Sequence, residues 1–406
     1  MKVAIVCDWL TNVGGAEKVL LEIHRLYPKA PIYTSKYSKR GIDWFLDADV
    51  RTGWLQIFPV FMRRVLGPLR QKWFSHLDLS DYDLVISVTG AEAKAIRVTK
   101  PRAIHVSYCH APTQYYWQLY DTYVKNPGFG VLNPVVRFFF KLLVKPLKRA
   151  DFEAAQRVDE FVTISEYTKE LISKYYHREA TVIHPPVEVD VFSNRKGLSR
   201  AASGRPVATG DRRSSSRCRA PESLKTPFSV APYIVTSRQV NWKRLDLVVK
   251  ACKRLKRELL VVGEGPEHRR LVKMAGNCEF VKFLPLMKRE ELAKYLVGAK
   301  GYIFPSLEPF GIAPVEALAA GCPVIAFGEG GALDYIEDGK NGVLFEKQNV
   351  NSLSEAILSF EKIKFDRAKV AKSAEKFSVS RFDHEITEFV KSAVKKLDKE
   401  VNEKVD

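Results

Sequence analysis

The sequence is poor in the residues that staple or thread a chain. Its 406 residues include six cysteines, Cys7, Cys109, Cys218, Cys252, Cys278 and Cys322, and none stands in a CxxC pair. Most lie in apolar runs, which reads as buried thiols of a reducing compartment and excludes a disulfide framework or a zinc ribbon. No stretch of ~20 uncharged apolar residues occurs, so no transmembrane helix is expected. The opening run MKVAIVCDWL is too short for a signal peptide and has no cleavage site, which gives the expectation of a cytoplasmic protein. A full GxGxxG fingerprint is missing, so the dinucleotide signal is weak. Acid is scarce as well: 47 Asp and Glu stand against 65 Lys and Arg, for a net charge of +18. That excess favours an anionic partner, be it a nucleotide diphosphate, an acidic membrane face or nucleic acid, without choosing among them.

What is there suits a globular protein of two domains. Hydrophobic residues make up 46% of the chain and charged residues 28%, ample material for two cores. Strand-like runs at Lys2–Cys7, Tyr82–Val88, Ala103–Cys109, Phe161–Ile164 and Ala180–His184 alternate with helical periodicity at Ala16–Leu26, Ala150–Val158 and Ser165–Tyr176. The first strand leads to Gly14-Gly15 and then to a helix, the plan of a phosphate-facing first turn or simply of a tight one. The third ends at His110-Ala111-Pro112, where an imidazole could meet a ligand or merely cap a turn. Two stretches, Gly53–Leu77 and Phe129–Lys148, interleave aromatic and aliphatic residues with arginine and lysine. Such basic amphipathic segments suit either a membrane interface or packing on the domain's own sheet.

Ser193–Pro227 has another character. It is rich in serine, arginine, glycine and proline and carries nine Lys/Arg against Asp211 and Glu222. It reads as a disordered linker or insertion. Beyond it, strands at Tyr233–Thr236, Glu258–Val262, Glu279–Leu284 and Gly301–Phe304 again alternate with helices. Arg238 at a strand end and Lys243 at the mouth of a helix suit a diphosphate, although lone cations are more often surface charge. In PSLEPFGIAPVEALAAGCP, Glu308 falls in a loop and Glu316 in the first turns of a helix, with Phe310-Gly311-Ile312 between them. The unpaired N–H groups of that helix suit phosphate, and the two acids suit sugar hydroxyls.

Four strings in this order, DWLTNVGGAEKVL, YCHAPTQYYWQLY, SRQVNWKRLDL and SLEPFGIAPVEALAAG, resemble the family-4 retaining glycosyltransferases, in particular mannosyltransferase-like members of polysaccharide and lipopolysaccharide biosynthesis. The resemblance covers almost the whole chain apart from the basic segment. It implies an α/β protein of the GT-B fold, two Rossmann-like doubly wound parallel sheets facing across a cleft. The expected division is an acceptor-side domain over residues 1–192, the basic linker over 193–227, a nucleotide-sugar domain over 228–380, and a terminal helix over 381–406 returning to the first domain.

The resemblance also implies roles. Arg238 and Lys243 would bind the donor diphosphate and neutralise the departing nucleotide, each worth about 3 kcal/mol. Glu316 would accept from the ribose hydroxyls. Glu308, with backbone around Phe310, Gly311 and Ile312, would engage the transferred sugar. His110 would contact that sugar, and Gly14 and Gly15 would admit phosphate or acceptor. Neither a metal nor a cofactor is implied, and the leaving phosphate itself would help deprotonate the acceptor, so the two glutamates are not a glycosidase pair. Two positions depart from the family pattern, Ser237 before the arginine and Pro309 after the first glutamate.

The expected activity is transfer of a hexose, mannose from GDP-mannose foremost, to a lipid-linked or polysaccharide acceptor at the cytoplasmic membrane face. The expected partners are the nucleotide sugar, that acceptor and an anionic membrane surface. Transfer from UDP-glucose or another nucleotide sugar is the second enzymatic reading. A non-catalytic basic protein binding nucleic acid or anionic lipid is the reading from another class, and the intact set of Arg238, Lys243, Glu308 and Glu316 argues against it.

Overall fold

The structure is a computed structural model that describes residues 1–60, 62, 66–125, 130, 133–193 and 230–403. The basic segment, from residue 194 onward, lies outside the described residues. The chain forms two compact units, one of Met1–Pro186 with Val379–Asp406 and one of Val187–Ser378.

Unit 1 runs β1 (Val3–Cys7), α1 (Gly15–Leu26), β2 (Ile32–Thr34), β3 (Val50–Arg51), α2 (Gly67–Ser75), β4 (Leu84–Thr89), β5 (Ile104–Cys109), α3 (Tyr120–Lys125), α4 (Asn133–Gln156), β6 (Glu160–Thr163), α5 (Glu166–Tyr176) and β7 (Thr181–Val182). All seven strands pair in parallel, in the order β3-β2-β1-β4-β5-β6-β7. The central strands β4 and β5 are buried at every position, as a sheet covered on both faces requires. The chain's terminal helix, Val379–Asn402, completes this unit by burying Phe382, Ile386 and Val390. The Phe382 ring meets Tyr108 of β5 edge to face at 5.9 Å, and Arg381 donates to the His184 carbonyl at 3.0 Å.

Unit 2 runs α6 (Val189–Ser193), β8 (Tyr233–Thr236), α7 (Leu245–Leu255), β9 (Leu259–Val262), α8 (His268–Ala275), β10 (Val281–Leu284), α9 (Arg289–Gly298), β11 (Gly301–Phe304), α10 (Ile312–Ala319), β12 (Val324–Phe327), β13 (Gly342–Phe345), α11 (Val350–Phe360) and α12 (Arg367–Lys372). Its six strands are parallel in the order β10-β9-β8-β11-β12-β13. The order reverses between β8 and β11, the switch point at which a doubly wound sheet leaves a crevice beyond its carboxyl edge. The expected boundary after residue 192 falls inside α6. That helix packs on α9 and α10 and belongs to the unit that begins at Val187.

The helix expected at Ala150–Val158 begins much earlier, at Asn133, and runs through Pro146. Pro134 sits in the first turn, where its missing N–H costs nothing. Cys7, Cys109, Cys252 and Cys322 are buried free thiols, and Cys278 is half-buried. Among the described residues no helix is long and apolar enough to cross a membrane.

Candidate active site

The carboxyl edge of the unit 2 sheet gathers most of the expected residues. Glu308 lies in the loop after β11, and Lys243, closing the 3-10 turn Asn241–Lys243 after β8, is in ion-pair contact with it. The Lys243 ammonium also lies 4.4 Å from the Trp242 ring centroid. Glu308 is braced from both ends. Ser306 Oγ donates to its Oε1 at 2.7 Å, and the Gly331 N–H donates to its carbonyl at 2.9 Å. Gly311, the N-cap of α10, has φ +92, and a Cβ there would stand 2.6 Å from the Phe304 ring. Only glycine meets both demands, so the Phe310-Gly311-Ile312 turn can start the helix close against β11. Tyr335 holds that turn by donating to the Phe310 carbonyl at 2.9 Å.

Glu316 lies within α10 and is 7% exposed. Burial pushes its carboxyl above the ordinary value, and Arg289, the first residue of α9, pulls it back by direct pairing. Arg289 pairs with Glu188 as well. Arg238 is different: its guanidinium is exposed and takes no partner among the described residues. The residue beside it is fixed instead. Gln239 is fully buried, donates from Nε2 to the Gly263 carbonyl at 2.5 Å, and meets His268 Nδ1 through Oε1 at 2.8 Å.

That His268 contact leads to a cavity of about 460 Å³, lined by Gly263, Glu264, Gly265, His268, Phe283, Leu284 and Pro285. Its volume lies in the range of small-ligand sites. No local motif marks His268 or Pro285 as lining a site, and the strand ending at Leu284 is expected only as a strand. The available signal was a strand closed by proline at the carboxyl edge of a parallel sheet. Gly263 has φ +120 and its loop packs against Ser237, so the cavity wall and the Arg238 loop are one construction.

In unit 1, β5 delivers His110 to the sheet's carboxyl edge, where its N–H donates to the Thr89 carbonyl at 2.8 Å. The Nε2 atom is buried with no hydrogen-bond partner among the described residues, and burial pushes the imidazole down to about 4, so it is neutral at pH 7. Gly14 is extended, with φ −163, and Gly15 opens α1. Glu17 in the first turn of α1 is 8% exposed, and a Cβ on Gly14 would come within 2.8 Å of its Oε2.

The remaining charges at that edge are locked. Asp8 accepts from Thr89 Oγ1 at 3.0 Å and from the Gly90 and Ala93 N–H groups at 2.8 Å each. Arg70 Nε pairs with Glu92 at 2.9 Å, and Lys94 Nζ with Asp151 at 2.6 Å, all four side chains being buried. Asp151 also accepts from Thr113 at 2.8 Å, Trp117 at 2.7 Å and Tyr176 at 2.8 Å, so it pins the segment that follows His110.

Two parallel-sheet α/β units of this topology define the GT-B class. Residues 228–377 match the family described as glycosyl transferases group 1. It is 31% identical over 220 residues to a D-inositol 3-phosphate glycosyltransferase of Mycobacterium leprae, covering 50% of this chain and 46% of that one. It is 28% identical over 218 residues to a GDP-mannose-dependent alpha-(1-6)-phosphatidylinositol monomannoside mannosyltransferase of Mycolicibacterium smegmatis, covering 49% and 52%. The chain thus spans about half the length of these curated relatives. Among solved structures, Anabaena Alr3699/HepE in complex with UDP superposes with a TM-score of 0.68 at 18% identity, over 97% of this chain and 100% of that one. That likeness is one of fold.

Proposed function

We propose that the chain is a retaining hexosyltransferase that moves mannose from GDP-mannose to a lipid-linked or polysaccharide acceptor at the cytoplasmic face of a membrane. The observation that carries the reading is the state of the cations at the unit 2 edge. Arg238 is exposed and uncommitted among the described residues, while Lys243 is held beside Glu308 at the start of α10. A diphosphate can enter without dismantling the fold. The choice of mannose rests on the name of the M. smegmatis relative and on the His-x-Pro string at His110.

In this reading the base and ribose occupy the 460 Å³ cavity and its border, with Glu316 accepting from the ribose hydroxyls. Arg238, Lys243 and the N–H groups that open α10 neutralise the diphosphate as it departs. Glu308 accepts from a hydroxyl of the transferred sugar, with Phe310, Gly311 and Ile312 supplying backbone around it. His110, neutral at pH 7, serves as a hydrogen-bond partner of the sugar rather than as a cation, and Gly14 and Gly15 leave room for the acceptor. The bond from the anomeric carbon to phosphate oxygen breaks and a bond to the acceptor oxygen forms on the same face. The acceptor proton passes to the leaving phosphate.

The test is a thermal-shift and hydrolysis screen across GDP-, UDP- and ADP-sugars. GDP-mannose is expected to stabilise the protein, and Arg238→Ala and Glu316→Ala to abolish the effect. A response to another nucleotide sugar alone would move the donor assignment. Silence toward all of them, together with salt-dependent DNA binding, would replace the enzyme with a binding protein.

A further inference from the structure

Helix α4 inverts the rule for a helix on a globular surface. Its contacts with the rest of unit 1 come from one side. Val144, Asp151, Ala154 and Ala155 are buried, Phe140 meets Tyr120 at 5.8 Å, and Lys148 lies 4.8 Å from the same ring. Solvent receives Val135 (55% exposed), Phe138 (66%), Phe139 (53%), Leu142 (63%) and Leu143 (41%). These are positions i, i+3, i+4, i+7 and i+8, the spacing by which a helix lays an apolar stripe along one face. Here the stripe faces outward. Between Asn133 and Ala150 the helix carries Arg137, Lys141, Lys145, Lys148 and Arg149 and no acid. By helical spacing Lys141 and Lys145, both exposed, run along one border of the ridge. The order of the chain produces this: the helix is long because its carboxyl half packs on the sheet, and its amino half projects an apolar ridge that no described residue of unit 1 covers.

We infer that this ridge is a docking surface for an anionic lipid bilayer, with Phe138, Phe139 and Leu142 entering the headgroup–acyl boundary and Lys141 and Lys145 meeting lipid phosphates. Charge complementarity selects that occupant. A protein partner or a second copy would cover the ridge equally well by area, but the unopposed row of cations would then need acidic partners, and a second α4 would bring five more cations. The surface deepens the proposed function, because a lipid-linked acceptor is met only at a bilayer. It does not depend on it, since lipid binding is measured without donor or acceptor.

The experiment is co-sedimentation of the full chain with phosphatidylcholine vesicles, with and without phosphatidylglycerol, at about 50 mM and about 500 mM salt. The protein is expected to pellet with the anionic vesicles at low salt and to be released about tenfold at high salt. Phe138→Ser with Leu142→Ser, and separately Lys141→Glu with Lys145→Glu, should each cut partitioning about tenfold. Both variants should keep the wild-type melting temperature and its response to nucleotide sugar. Wild-type protein left in the supernatant, partitioning untouched by either pair, or a lipid-free dimer that Phe138→Ser dissociates would each overturn the assignment.

Discussion

The carboxyl edges of the two sheets carry similar numbers of charged side chains in opposite states. In unit 1 the pairs Arg70–Glu92 and Lys94–Asp151 are buried outright, and Asp8 is consumed by backbone N–H groups. In unit 2 Lys243–Glu308 and Arg289–Glu316 stay partly open, and Arg238 is exposed. The same fold thus uses charge in two ways. Buried pairs fix the loops and are expensive to break, because each partner left alone is a buried, uncompensated ion. The unit 2 pairs are less deeply enclosed, with Lys243 and Glu308 18% and 13% exposed and Arg289 26% exposed, although Glu316 itself is buried.

The sharpest way to break the comparison is at Arg238. Arg238→Ala should lower transfer or donor hydrolysis by roughly a hundred- to a thousandfold, in steady-state assays, with the melting temperature unchanged. A loss of stability of similar size to that at the unit 1 pairs would erase the distinction. The converse substitution is Asp151→Ala, which leaves Lys94 buried and unpaired. It should destabilise the protein by about 3–5 kcal/mol in chemical denaturation and leave nucleotide binding to the folded fraction intact. Near-native stability with lost activity would make Asp151 part of the chemistry instead.

Arg289→Ala sharpens the contrast through pH. In the proposed function Glu316 must be ionised to accept from ribose, and burial already raises its pKa while Arg289 opposes the rise. Protonation sets in as pH falls. Without the guanidinium it should set in at higher pH, so donor affinity is lost earlier on the acid side, with about a tenfold weaker Kd at neutral pH; Arg289→Lys should restore most of it. Identical pH profiles for donor binding would remove Arg289 from this role. The smallest effect belongs to Glu361, lowered to about 2 by its hydrogen bonds with Arg257 and then Lys300. Its native pKa is depressed, so its contribution is present above the ordinary carboxylate value and fades as pH falls toward about 2. After screening by solvent this is about 1 kcal/mol, read as the difference between wild type and Glu361→Gln at pH 6 and at about pH 3.

Local patterns were legible before the fold. The strand–loop–helix around Glu308 and Glu316 lies within one short run, so hydrophobic strand, glycine turn and alanine-rich helix announce it together. Arg289 was not legible as the partner of Glu316, because nothing in the local pattern ties the mouth of α9 to α10. Nothing in the local sequence marks Lys94 or Asp151 as buried, and only the fold encloses them. The strands β2 and β3 escaped notice because three and two residues are too few for any period to show. The two basic amphipathic stretches pack differently. Gly53–Leu77 sends Phe74 and Arg70 inward through α2 and leaves Trp54, Ile57, Val60 and Leu69 exposed, while the amino half of α4 turns a single apolar stripe outward.

The terminal helix sets an order of events during synthesis. Every strand of the unit 1 sheet leaves the ribosome before unit 2 begins, yet the side chains that cover part of β5, Phe382 first among them, come after unit 2 is complete. A nascent unit 1 therefore waits, with apolar surface around Tyr108 uncovered, for the whole of unit 2 to be made. Chaperone demand should peak late, and a stop codon placed shortly before Val379 would release a chain whose second unit is whole and whose first is unfinished.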